Sequence, residues 1–109
     1  MQFFRKERVE SLIQKELGEM LRRDFNFESV LVTITSTEVN KKLDNAKVGI
    51  STIPSEKGAA VLKKLKSAEK NINWHLLRKI NIKPMPHVSF FYDFGPENSS
   101  AVEKALIGK

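Results

Sequence analysis

Cysteine is absent from the 109 residues. That excludes disulfides, a thiolate zinc site, an iron–sulfur cluster and a cysteine nucleophile. Long apolar runs are missing too. None exceeds four or five residues, whereas a membrane-spanning helix needs about 20. The five glycines, at 18, 49, 58, 95 and 108, never fall into the spacing of a GxGxxG turn, a P-loop or a GxxG loop. Histidine is scarce. His75 and His87 lie twelve residues apart with no carboxylate pair beside them, so a surface or half-buried structural role is the expectation for each. Glu7/Glu10 and Glu16/Glu19 sit among basic residues on one helical segment and read as surface ion pairs. Ser51 and Ser89 have no nucleophile context. A non-catalytic protein with no metal and no cofactor is expected. The opening MQFFRKERVE is charged by its fifth residue and acidic at Glu7. It has neither a signal peptide's apolar centre nor a transit peptide's lack of acids, which predicts a soluble cytoplasmic protein.

What is present is ordinary in amount and unusual in placement. Apolar residues make up 40% and charged residues 29%, as in globular domains, and the length suits one domain. The net charge is +6. Residues 63–83 carry Lys63, Lys64, Lys66, Lys70, Arg78, Lys79 and Lys83 against Glu69 alone, an excess equal to that of the whole chain. A solvated lysine face is the plain explanation. A basic focus of this kind also fits a polyanionic partner.

Residues 5–25 have helical periodicity, with Val9, Leu12, Ile13, Leu17, Met20 and Leu21 on one stripe. Residues 30–39 alternate and are rich in β-branched side chains, which predicts a strand. Turn residues follow at 40–45, then a second strand over 46–53 that Pro54 stops. Ser55 is a plausible cap for a second helix with Val61, Leu62, Leu65, Ala68 and Ile72 inside. The apolar phase shifts over residues 68–73 before Leu76, Leu77 and Ile80, so two helices or one kinked helix are expected. Pro84 and Pro86 end the helical stretch. Residues 87–93 read as a third strand with Val88, Phe90 and Tyr92 on the core face and Phe91 on the other. Ser99 or Ser100 opens a two-turn helix through Ile107, with Val102, Ala105 and Leu106 on one side. Two turns are marginal alone and call for a surface to dock on.

The order α-β-β-α-α-β, with a long crossover before the last strand, predicts a two-layer α+β domain. Trp74 stands one helical turn from both Lys70 and Arg78. It reads either as packing at a helix–sheet edge or as a stacking ring beside phosphate-binding cations. The seven cations of residues 63–83 and Trp74 are the candidate RNA-binding residues. Arg5, Lys6 and Arg8 of the first helix come next.

Four features together resemble the ribosome-binding factor A family, bacterial assembly factors of the small ribosomal subunit. They are the helix RVESLIQKELGEMLRR, the strand opening Leu43-Asp44-Asn45-Ala46-Lys47-Val48, Pro86 before the last strand, and that strand's Val88, Phe90 and Phe91-Tyr92-Asp93. The resemblance covers about residues 5–107. It implies a type II KH-like domain whose helix pair is kinked at an Ala-x-Gly sequence, here Ala68, Glu69 and Lys70. The glycine is absent, Lys42 replaces a frequent turn Asp, and Lys83 replaces a frequent Arg. A KH-like RNA-binding domain is expected over residues 1–94 and a short helical tail over 95–109. The resemblance further implies a monomeric, non-catalytic factor that binds the free small (30S) subunit. It would assist late 16S rRNA maturation, with a role in cold adaptation. An assembly GTPase and initiation factor three are the implied dissociating partners. The other classes are a KH-like module for another RNA or DNA, and a protein-interaction domain using the tail helix.

Overall fold

The computed structural model describes residues 5–94. Helix α1 runs Arg5–Asp24, and its buried stripe is Val9, Ile13, Leu17, Met20 and Leu21. Leu12, expected on that stripe, is exposed on the stripe's edge. Strand β1, Leu31–Val39, pairs antiparallel with β2, Asn45–Ile53. The turn between them is closed by Asn40, whose side-chain oxygen accepts the N–H groups of Asp44 and Asn45 at 3.0 Å each. The register slips at Thr35, between Ile34 and Ser36.

After Pro54 the chain makes a 3-10 turn, Ser55–Lys57, before α2, Gly58–Ser67. Ser55 therefore caps nothing through its side chain. The turn's own backbone bond, Lys57 N–H to Pro54 O at 3.1 Å, does that work. Gly58, the first residue of that helix, lies against the Tyr92 ring, where a β-carbon would collide. Helix α3 spans Glu69–Ile80 and ends on Asn81, which adopts the left-handed conformation that asparagine tolerates well. Strand β3, His87–Tyr92, then pairs parallel with β2, giving the sheet order β1-β2-β3.

The α-β-β-α-α-β order is as expected. The inner face of β2 buries Ala46, Val48, Ile50 and Thr52, while Lys47 among them and Ile53 after them are exposed. Helices α1, α2 and α3 pack on this sheet, and their stripes close one core with Val39, Val88 and Phe90. This is a two-layer α+β domain. The tail helix expected over residues 99–107 lies outside the described residues.

Candidate nucleic-acid interface

The break in the helix pair falls at Ala68, inside the Ala68-Glu69-Lys70 segment that the family resemblance implies. Ala68 sits at φ −94°, ψ 5°, a bridge conformation open to any residue. Its N–H is shared among carbonyls of the last α2 turn, and its own C=O accepts the N–H of Ile72 at 2.9 Å. Lys70 is already inside α3, and Glu28, Leu43 and Asn81 are the non-glycine residues with positive φ among those described. The missing glycine is thus not required. The break is made without a left-handed residue.

Asn73 does something else. Its amide donates to the carbonyl of Glu69 at 2.8 Å and of Val88 at 3.0 Å, and its oxygen accepts the Val88 N–H at 2.7 Å. β3 is an edge strand, so these backbone groups face away from β2. Asn73 acts in place of a neighbouring strand and fixes α3 along the sheet edge. Sequence reasoning passed over this residue. The available signal was an asparagine in a helix interior beside two core positions, where its side chain asks for a partner.

With α3 held this way, Trp74 points outward and is 59% exposed. The guanidinium of Arg78 lies 4.9 Å from the centre of its ring. The helix-edge packing reading of Trp74 is therefore corrected: α3 buries Ile72 and Leu76 instead, and Trp74 belongs to the opposite, solvent-facing side. Lys70, one turn earlier, and Lys66, at the end of α2, are exposed, as are Lys63 and Lys79.

Lys64 is engaged elsewhere. Lys64 donates to the carbonyl of Asn26 at 2.7 Å and lies 5.4 Å from the centre of the Phe27 ring. It clamps the loop in which Phe25 and Phe27 stack nearly parallel. Arg5 donates to the carbonyl of Lys83 at 3.0 Å, which joins the start of α1 to the segment before β3. Arg8 is exposed and Lys6 half-buried on that helix. Among the 63–83 cations, Arg78 thus lies over Trp74 with Lys70 one turn before it on the same helix, Lys64 clamps the loop, and Lys63, Lys66, Lys79 and Lys83 are exposed, Lys83 offering Arg5 its backbone carbonyl. A groove of about 750 Å³ between α1 and β1 includes none of residues 63–83. Among the described residues no helix can cross a membrane, and no group of three His, Cys, Asp or Glu side chains could hold a metal ion.

The sequence profile of ribosome-binding factor A matches residues 5–106. The chain belongs to the ribosome-binding factor A family. Ribosome-binding factor A of Pseudomonas putida is 34% identical over 96% of this chain and 86% of its own length. That of Opitutus terrae is 32% identical over 91% and 82%. The crystal structure of ribosome-binding factor A from Thermus thermophilus superposes with a TM-score of 0.69 at 22% identity, covering 84% of this chain and 99% of that one. Coordinates of the Thermus protein fitted into a cryo-EM map of its 30S complex give a TM-score of 0.64, also at 22% identity, over 84% of this chain and 94% of theirs. The KH-like fold of the ribosome-binding factor A family is the fold of this chain.

Proposed function

We propose that this protein binds the free small ribosomal subunit through 16S rRNA and assists late maturation of that RNA, with a role in cold adaptation. It acts without catalysis, as a cytoplasmic monomer, by holding an rRNA conformation. An assembly GTPase and initiation factor three are the proposed agents of its release. The observation that carries this reading is the exposed Trp74 under Arg78, with Lys66 and Lys70 exposed before it. Cations along a helix pair suit phosphates, and an open aromatic face beside them suits a base or ribose, a contact worth about 1–3 kcal/mol. Family membership supplies the ribosomal context, and the fitted Thermus complex supplies the choice of subunit.

Co-sedimentation of the purified protein with small subunits, large subunits and bulk RNA tests the proposal. Selective pelleting with small subunits is expected. Equal binding to any RNA would favour a general KH-like module. Binding to none of the three would favour a protein-interaction domain whose lysines serve solubility.

A further inference from the structure

Among the described residues β1 is an outer strand of the sheet, and one length of its free edge is uncovered. Ile50 O is taken by the Asp93 N–H at 2.8 Å, and the Thr52 N–H by the Tyr92 hydroxyl at 3.1 Å, both on the β3 side. The β1 partners of these two residues are Ile34 and Val32. The alternation of an antiparallel ladder then turns the N–H and C=O of Val32 and Ile34 away from β2, toward the open edge. Past the slip at Thr35 the edge is closed, because Val39 donates its N–H to the Glu10 carboxylate at 2.8 Å. Among the described residues no side chain does the same for Val32 or Ile34.

The groove between α1 and β1 runs along this uncovered stretch. It is lined by the consecutive residues 30–34, so it meets the strand's edge and not one face alone. Its floor is apolar: Val32 and Ile34 pack on the core yet stay half-buried, and Phe25 lies beside them. Gly18 stands in the helical wall. A β-carbon there would meet nothing nearer than Arg22 Nη1 at 3.8 Å, so no neighbour among the described residues requires a glycine. Glycine weakens a helix interior relative to alanine. What it leaves here is space in the groove. The same wall carries Lys15 and Arg22, both exposed and neither in a salt bridge among the described residues.

We infer that this groove takes an extended acidic segment of a partner protein, added to the sheet as a strand beside β1. The N–H and C=O groups of Val32 and Ile34 pair with its backbone. Its alternate apolar side chains lie on the floor, and its Asp or Glu residues meet Lys15 and Arg22. The stretch from residue 30 to 34 is about 14 Å long, enough for four or five residues of such a strand. Nucleic acid suits the groove less well. Phe25 and Phe27 are half-buried against each other and offer no open ring, and Glu28 at its end repels phosphate. A second copy of the chain would set Lys15 and Arg22 beside the same two cations.

The test selects short peptides on the full chain from a random displayed library, without RNA, so its outcome is separate from the RNA reading. Enrichment of peptides that join alternate apolar residues with Asp or Glu is expected. No enrichment, or peptides without acids, would overturn the inference. An enriched peptide is then titrated against variants. Gly18→Leu fills the groove and should weaken binding at least about tenfold while melting no lower than the parent, since leucine is the better helix former. Lys15→Glu combined with Arg22→Glu, both at exposed positions, should keep the fold and weaken binding about tenfold. The peptide should slow amide exchange at Val32 and Ile34 and leave Thr33, already paired with Ser51 of β2, unchanged. Unaltered affinity in the charge-reversed variant, or unaltered exchange at Val32 and Ile34, refutes the strand addition. If Gly18→Leu instead loses only binding to purified 16S rRNA, the groove belongs to RNA. If it abolishes a dimer of the parent, the groove belongs to a second copy. Either result overturns the inference as well.

Discussion

Asn73 and Phe90 hold the two sides of one joint. Phe90 is buried on the inner face of β3, where it closes the core against α1–α3. Truncating it to alanine removes a large buried ring, and Phe90→Ala should cost about 3–5 kcal/mol. That is a large share of what a domain of this size has to lose, so thermal melting should find the variant unfolded or close to it. An unchanged melting temperature would mean the faces of β3 are reversed. Asn73→Ala is a different kind of loss. It leaves the Val88 N–H without its 2.7 Å acceptor and the Val88 carbonyl without its 3.0 Å donor. About 1–3 kcal/mol should go, read as a lower urea midpoint. Amide exchange at Val88 should accelerate more than at the β1–β2 pairs.

Helices α2 and α3 meet at a single non-helical residue, and the identity of residue 70 matters less to that meeting than family likeness suggests. Lys70 has ordinary helical surroundings just after the break, so a glycine there brings no conformational benefit. It adds backbone entropy to the first turn of α3, at a cost of up to about 1 kcal/mol, and removes an exposed cation. Lys70→Gly should therefore melt slightly lower and bind small subunits more weakly. Tighter binding by that variant would show instead that glycine sharpens the break and improves the fit. α3 as a whole is oriented by Asn73 on one side and by its buried Ile72 and Leu76, and Trp74 is exposed as a consequence.

Across the whole molecule, the basic excess of residues 63–83 is distributed rather than pooled. Lys64 is drawn toward the 25–30 loop, while Lys66 and Lys70 are exposed without such a clamp and Arg78 lies over Trp74. If each of those three meets one phosphate, replacing all three by alanine should flatten the dependence of log K on log salt by about 2–3 units. The fold should survive, since none of them is buried. Unchanged affinity and salt slope would point instead to the α1 cations Arg5, Lys6 and Arg8.

Elements, their order and most of the core were legible from residue pattern, because periods of two and of 3.6 are local properties of the chain. The stripe Val9–Ile13–Leu17 and the alternation of β2 translate directly into burial. The parallel pairing of β3 is the kind that a long helical crossover connects. The cations of the candidate site could be named from sequence, since exposure of lysine is the rule. Their grouping could not. It depends on which side of α3 faces the sheet, and that is settled by an asparagine reaching a strand 15 residues away. The same holds for the slip at Thr35 and the escape of Leu12 from the core. Each is a compromise between a local preference and neighbours distant in sequence, and only the packed chain brings those neighbours together.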